Sequence, residues 1–129
     1  MFSLVSCKQG RISDNIEIDI SESTKFSKDE ITNSIECVKS NFNFEGATLT
    51  KIWYDEKKSN NLVDIYLENG NGSQNGVSEE DVIILLSNFY VDDSGKNPVL
   101  NRDTIYTDYQ WILIRDNEKS EWKIDSFGF

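Results

Sequence analysis

Histidine is missing from this sequence, and several other residue types are scarce. The 129 residues contain no His, one Pro, one Met and two Cys. Without His there is no imidazole general base, no Ser–His or Cys–His pair and no His metal ligand. No apolar run approaches the roughly 18 residues of a membrane span, so we expect no segment of this sequence to cross a bilayer.

Basic residues are also fewer than acidic residues. Lys and Arg number 13 against 23 Asp and Glu, which gives a formal net charge of −10 and an isoelectric point near 4.4. A polyanion is repelled by phosphate backbones and anionic lipid, so we expect no nucleic acid partner. The same charge favours a cationic partner through electrostatic steering. The length fits one domain with a single two-layer core.

The first residues look like the end of a bacterial lipoprotein signal. Leu4, Val5 and Ser6 precede Cys7, the residue that would be acylated. A complete signal has a basic segment and about 7–15 apolar residues, which this short stretch lacks. An ordinary cytosolic N-terminus with a chance Cys is the alternative. We interpret residues 1–21 as a lipoprotein-type N-terminus and flexible tether, and residues 22–129 as a single domain.

The chemical state of the two cysteines has more than one interpretation. Cys7 and Cys37 could form a disulfide in an exported protein. If Cys7 carries lipid, Cys37 is a lone thiol on a predicted helix. Because it has no His or metal partner, we interpret Cys37 as a small buried apolar residue rather than a nucleophile.

One helix is strongly indicated after the tether. Ser27 and Glu30 have the spacing of a capping box, in which each side chain accepts a hydrogen bond from the other residue's main chain. An apolar stripe with helical spacing follows and predicts a helix over residues 28–42 with one buried face. The stripe consists of Ile31, Ile35, Val38 and Phe42.

The rest of the chain is predicted to form strands. Residues 81–91 fit a helical stripe, but their β-branched run and two apolar faces favour a central strand covered on both sides. The alternation at residues 16–20 fits either a short edge strand or the ordered end of the tether. We predict an α+β fold, one helix on an antiparallel sheet of four to five strands. The predicted strands are 47–54, 62–68, 81–91, 109–115 and 121–129, with turns or loops at 55–61, 69–76, 92–107 and 116–120.

Several segments together resemble a known family. They are Phe26–Ile31, Leu49–Asp55, Leu85–Phe89, Trp111–Asp116, and Trp122–Asp125 with the final Phe127-Gly128-Phe129. They resemble a group of small uncharacterised lipoproteins of clostridia and related Gram-positive bacteria, over roughly residues 25–129. The resemblance implies a cystatin-like or NTF2-like fold, in which a curved antiparallel sheet cradles a helix. It also implies a lipid-anchored or secreted location, and it implies no activity and no cofactor.

Patterns for catalysis or metal binding are weak. NTF2-like enzymes use an Asp base with Tyr donors in an apolar cone. A solvated strand face explains each Asp of this chain equally well, and the acidic loop at residues 92–97 lacks the EF-hand pattern. We therefore predict no catalytic residue, no metal and no cofactor. The candidates for such an enzyme are Asp64, Asp108 and Asp125, with Tyr54, Tyr66 and Tyr109.

Aromatic side chains are the candidate ligand-binding residues, although core packing is an alternative role for each Trp, including Trp122. Our leading hypothesis is a non-enzymatic binding or interaction domain outside the cell, with a protein or small ligand as partner and membrane contact only through lipid on Cys7. The alternatives are an acidic cytosolic immunity or inhibitor protein that neutralises a basic toxin, and an NTF2-like enzyme acting on a small organic molecule. The candidate binding residues are Trp53, Tyr54, Tyr66, Tyr109 and Trp111.

Overall fold

The computed structural model describes residues 10–129 and contains both helices and strands. Within these residues, five strands form one sheet, and two long α-helices, one short α-helix and a 3-10 helix at Glu79–Asp81 accompany it. The elements are β1 (Arg11–Ile20), α1 (Lys28–Asn41), β2 (Ala47–Tyr54), α2 (Glu56–Asn69), α3 (Gly72–Asn75), β3 (Val82–Val91), β4 (Thr104–Ile114) and β5 (Lys123–Gly128).

The strands lie in the sheet in the order in which they occur along the chain. β1 and β2 are parallel and are connected through α1, whereas β2, β3, β4 and β5 pair antiparallel. The predicted α+β class is confirmed, and the arrangement is consistent with a cystatin-like or NTF2-like fold. The sheet differs from the prediction in its first pair, because a helix that crosses one face returns the chain parallel to β1.

Helix α1 begins and packs as predicted. The Ser27 hydroxyl accepts from the Glu30 N–H (3.1 Å), and the Glu30 carboxylate accepts from the Ser27 N–H (2.8 Å). These two bonds satisfy main-chain donors that the first turn leaves unpaired. Ile35 and Val38 are among the residues that α1 buries against one face of the sheet.

Strand β3 is confirmed as a central strand covered on both sides. Ile83 and Leu85 belong to the core beneath α1, while Val82 and Ile84 belong to a second core beneath α2. Alternate side chains of a strand point to opposite faces, so each face of β3 has its own apolar cover.

Helix α2 corrects the prediction of a turn at 55–61 and a strand at 62–68. The Asp55 carboxylate caps the helix by accepting from the Lys58 N–H (3.2 Å). Ser59, Val63 and Tyr66 are buried at spacings of four and three, the period of a helix. This stripe covers the second apolar face of β3, which a strand in the same sheet could not do.

The N-terminal prediction also requires correction. Residues 11–20 form a strand that pairs with β2 at the edge of the sheet. The edge-strand interpretation of residues 16–20 is therefore confirmed, whereas the flexible tether predicted over 1–21 does not include residues 11–20. Ile12, Ile16 and Ile20 pack against the core beneath α1. Burial of these apolar side chains stabilises the pairing of β1 with the sheet. Cys7, the predicted lipidation site, lies outside the described residues.

Two predicted loops are shorter or more regular than expected. β4 begins at Thr104, so the loop predicted at 92–107 ends earlier. The predicted hairpin loop at 69–76 instead contains the short helix α3. This segment connects α2 to β3, and because α2 is a helix it does not close a β-hairpin.

Arg115 links α1 to the sheet. Its side chain is 6% exposed, and the guanidinium donates to Glu30 (2.6 Å) and to Asp81 (3.1 Å). A third bond runs to the main-chain carbonyl of Glu80 (3.1 Å), and the Trp122 ring lies 4.5 Å from the charge. A buried cation with its donors paired in this way holds three segments in one place, the starts of α1 and β3 and the end of β4.

Replacing Arg115 should destabilise the fold strongly. We expect Arg115→Met to lower the free energy of unfolding by about 3 kcal/mol, because two partly buried carboxylates lose their partner. The matched control is Lys39→Met, since Lys39 pairs with Glu36 at the surface (3.3 Å) and should contribute less than about 1 kcal/mol. Urea unfolding measures both, and equal losses would contradict the structural role of Arg115.

Candidate functional site

The five predicted binding residues do not converge on one site. Tyr109 and Trp111 lie together on β4 with ring centroids 5.8 Å apart. Trp111 is 1% exposed, and its indole N–H donates to the Ser87 hydroxyl (2.7 Å). These two rings therefore fill the core beneath α1, the alternative role considered for Trp111.

Trp53 lies on the opposite face of the sheet. Its neighbours Ile52 and Tyr54 point into the core beneath α1, so Trp53 points away from it. The Lys51 ammonium lies 4.8 Å from the Trp53 ring and also contacts carboxylates of β1. Trp53 is half-buried within this charged surface and is separate from Tyr109 and Trp111.

Tyr54 takes part in a polar network around Glu56. The Tyr54 hydroxyl (3.0 Å) and the Ser23 hydroxyl both donate to one Glu56 oxygen, and the Thr24 N–H donates to the other (3.0 Å). The bond from Ser23, followed by those from Thr24 and Tyr54, lowers the pKa of Glu56 to about 2. Burial, and then the bond to Glu56, raises the pKa of Tyr54. The network fastens the β1–α1 loop to the start of α2.

Tyr66 and Asp125 come together, one of the Asp–Tyr combinations considered from the sequence. The Tyr66 hydroxyl on α2 donates to the Asp125 carboxylate on β5 (2.7 Å) and accepts from the Asn75 amide (2.8 Å). The Asn71 amide donates to the same Asp125 oxygen (3.2 Å). Burial, and then the bond to Asp125, raises the pKa of Tyr66 to about 12. Tyr66 therefore keeps its proton at neutral pH.

A groove lies beside this pair, between α2 and the β4–β5 side of the sheet. Its volume is about 540 Å³, and we call it the α2 groove. Two large apolar side chains at its walls are open to solvent, Ile65 (57% exposed) and Phe129 (75% exposed). The apolar walls and polar end suit a ligand with an apolar or aromatic group. The lining residues are Leu62, Ile65, Tyr66, Asn69, Gly70, Asn71, Gln110, Ile112, Ser126 and Phe129.

Two other clefts are more polar. One lies between β1 and the start of α1 with a volume of about 1050 Å³, and its wall includes the polar loop of residues 21–24. The other lies between α1 and the β4–β5 hairpin with a volume of about 520 Å³. Glu30 and Arg115, which line this second cleft, already pair with each other (2.6 Å). The α2 groove is therefore the better candidate for an apolar ligand.

The described residues contain neither a metal cluster nor a membrane span. Over residues 10–129, no group of three or more acidic or Cys side chains is placed to hold a metal ion. No helix in that range is long and apolar enough to cross a membrane.

Most of the residues that line the α2 groove are not predicted by the sequence. Ile65, Ile112 and Phe129 were not candidates, and Tyr66 was expected on a strand. The available signal was the helical spacing from Ser59 to Tyr66, which would have placed Ile65 on the outer side of a helix. Nothing local predicts that this helix lies beside β5.

The fold and the groove define a small α+β domain with one largely apolar groove among its described clefts. Residues 17–128 match the model of the family described as Domain of unknown function (DUF4829), and the chain belongs to that family. No curated protein and no solved structure matches the chain. The function of the domain therefore has to be inferred from the site itself.

Neutralising Glu56 should change how stability depends on pH. Because folding lowers the pKa of Glu56 to about 2, its contribution is present above about pH 4.5 and is lost as the pH falls towards 2. We expect Glu56→Gln to be less stable at pH 7 by about 2 kcal/mol and to lose less stability on acidification. Urea unfolding at several pH values measures this.

The matched control is Glu68→Gln, which changes an exposed acid of the same helix. It should follow the wild-type pH curve. Parallel curves for Glu56→Gln and the wild type would contradict the assigned role of Glu56.

Proposed function

We propose that this chain is a non-enzymatic binding domain whose α2 groove holds an apolar or aromatic group of its ligand. The observation that carries the proposal is the exposure of Ile65 and Phe129 within one groove. Each buried Å² of apolar surface is worth about 25 cal/mol, so a ligand that covers both side chains gains affinity from them. Exposed apolar surface gathered in a concavity is typical of a binding site.

The Tyr66–Asp125 pair supports binding rather than acid–base chemistry. The hydroxyl proton of Tyr66 is directed to Asp125 (2.7 Å), and a single Asp125 oxygen accepts both Tyr66 and Asn71. A general acid needs a proton that its substrate can take. In this chain the pair instead fastens α2 and the segment after it to β5, which gives the groove a fixed wall.

We also propose that the domain is anchored outside the cell by lipid on Cys7. Three residues separate Cys7 from Arg11, the first residue of β1. A chain of that length spans at most about 14 Å, so the anchor would hold the β1 edge close to the membrane surface. Cys37 is a poor second candidate, because it is half-buried with its thiol 3.5 Å from the Trp122 carbonyl oxygen and burial raises its pKa.

The groove can be tested with small aromatic probes. We expect benzylamine to shift amide resonances around Ile65 and Phe129 in NMR titrations, and benzoate to bind more weakly to this anionic domain. Ile65→Ser and Phe129→Ser should each weaken benzylamine binding about threefold or more. Ile105→Ser is the matched control, since Ile105 is exposed but does not line the groove. Shifts centred elsewhere, or equal effects of all variants, would refute the groove as the site.

The anchor can be tested by metabolic labelling with an alkyne analogue of palmitate in the organism that makes the protein. We expect label on the wild type and on Cys37→Ser, and none on Cys7→Ser, because only Cys7 has the preceding residues of a lipoprotein signal. Label that persists in Cys7→Ser, or an unlabelled wild type in the cytosol, would rule out the anchor.

A further inference from the structure

The sheet has two edges, at β1 and at β5. In the part of the chain that the structure describes, the main-chain groups of β5 bond only to β4. The other side of β5 therefore presents free N–H and C=O groups, which are a template for another strand.

The β1 edge is poorly suited to receive a strand. Glu17 and Asp19 are charged and exposed along it, and the pairing register shifts between Ile12 and Glu17. Charged side chains and irregular pairing are the usual means by which proteins keep an edge strand unpaired. Ile18, at 41% exposed, is the most exposed apolar side chain of β1.

The β5 edge instead ends in exposed aromatic rings. Phe127 is 52% exposed, and its inner side packs on Phe44 and Trp111 with ring centroids 5.2 Å apart in each case. Phe129 is more exposed than Phe127, and its ring centroid lies 5.1 Å from that of Tyr109. Each ring packs on a core aromatic ring on one side and is open on the other, so the edge offers an apolar surface to a partner.

Charge around these rings selects the partner. No Lys or Arg occurs in residues 104–114 or 124–129, and three acids lie within two positions of these ring-bearing residues in sequence, Glu45, Asp108 and Asp125. A second copy of the chain would bring a further net charge of −10 to this edge. A basic segment would gain attraction where a second copy would meet repulsion.

We propose that the edge of β5 accepts a short, extended segment of a basic partner protein as a sixth strand. Pairing runs along Ser126–Gly128, the end of β5, and on to Phe129, because the register shift opposite Ile112 and Leu113 interrupts β5 before that stretch. Apolar side chains of the segment cover Phe127 and Phe129, and its Lys or Arg side chains face the neighbouring acids. This edge site is distinct from the α2 groove, although Phe129 borders both.

The experiment uses defined peptides. The probe is a short amidated peptide that alternates Lys with Val, compared with a Glu–Val counterpart and with a Lys–Val peptide whose amides are N-methylated. We expect the Lys–Val peptide to bind the wild type and to shift the amides of Ser126–Phe129. N-methylation should weaken binding about tenfold, because the peptide then lacks main-chain donors.

Variants locate the site. Phe129→Lys and Phe127→Lys should each weaken Lys–Val binding about tenfold, through lost apolar cover and added like charge. Phe129 is the more exposed of the two, so its replacement leaves the fold least affected. Ile18→Lys on the β1 edge is the matched control and should leave binding unchanged.

Several results would overturn the proposal. They are equal binding of the N-methylated or Glu–Val peptide, shifts centred on β1, and no binding of the Lys–Val peptide. A concentration-dependent dimer that Phe129→Lys abolishes would assign the edge to a second copy instead. Benzylamine shifts in the α2 groove remain a separate measurement, so failure of the peptide test leaves the proposed groove function standing.

Discussion

The burial of β3 on both faces is the constraint on which the rest of the structure depends. Its alternate side chains, such as Ile83 and Ile84, point into two separate cores. Burying one such side chain is worth about 1.5–3 kcal/mol, so leaving either face open would remove much of the driving force for folding. The fold therefore needs a helix on each side, and α2 exists to cover the second face. The wall of the α2 groove is a consequence of this packing requirement.

Polar links then determine where the helices sit. Arg115 binds Glu30 at the start of α1, and Glu56 at the start of α2 binds the loop that precedes α1. Both links act at helix N-termini, so the two helices are fixed to the same region of the molecule. The far end of α2 reaches β5 through Tyr66 and Asp125 (2.7 Å). Between these attachments α2 does not close over β4 and β5, and the groove opens there.

The elements that could be predicted from sequence carry local signals. Helix α1 has its capping box and apolar stripe, and β3 has its β-branched run with two apolar faces. Helix α2 was not predicted because its polar first half resembles a turn. The evidence for a helix there lies in β3, which is distant in sequence. The second apolar face of β3 already implied another covering element, and the stripe from Ser59 to Tyr66 was the one available for it. Strand β1 depends similarly on its register with β2, which neighbouring residues do not reveal.

The site could not be predicted because the role of an aromatic residue depends on its strand's place in the sheet. Tyr109, Trp111 and Phe127 all occur in strands with alternating patterns, and alternation states only which residues share a face. β4 lies inside the sheet beneath α1, so Tyr109 and Trp111 became core. β5 lies at the edge, where no further strand of the described chain covers it, so Phe127 remains half exposed. Strand order comes from contacts between residues distant in sequence, as in the pair Tyr66 and Asp125, which are 59 positions apart. The residues available to a partner are therefore those that the order β1 to β5 leaves at the periphery.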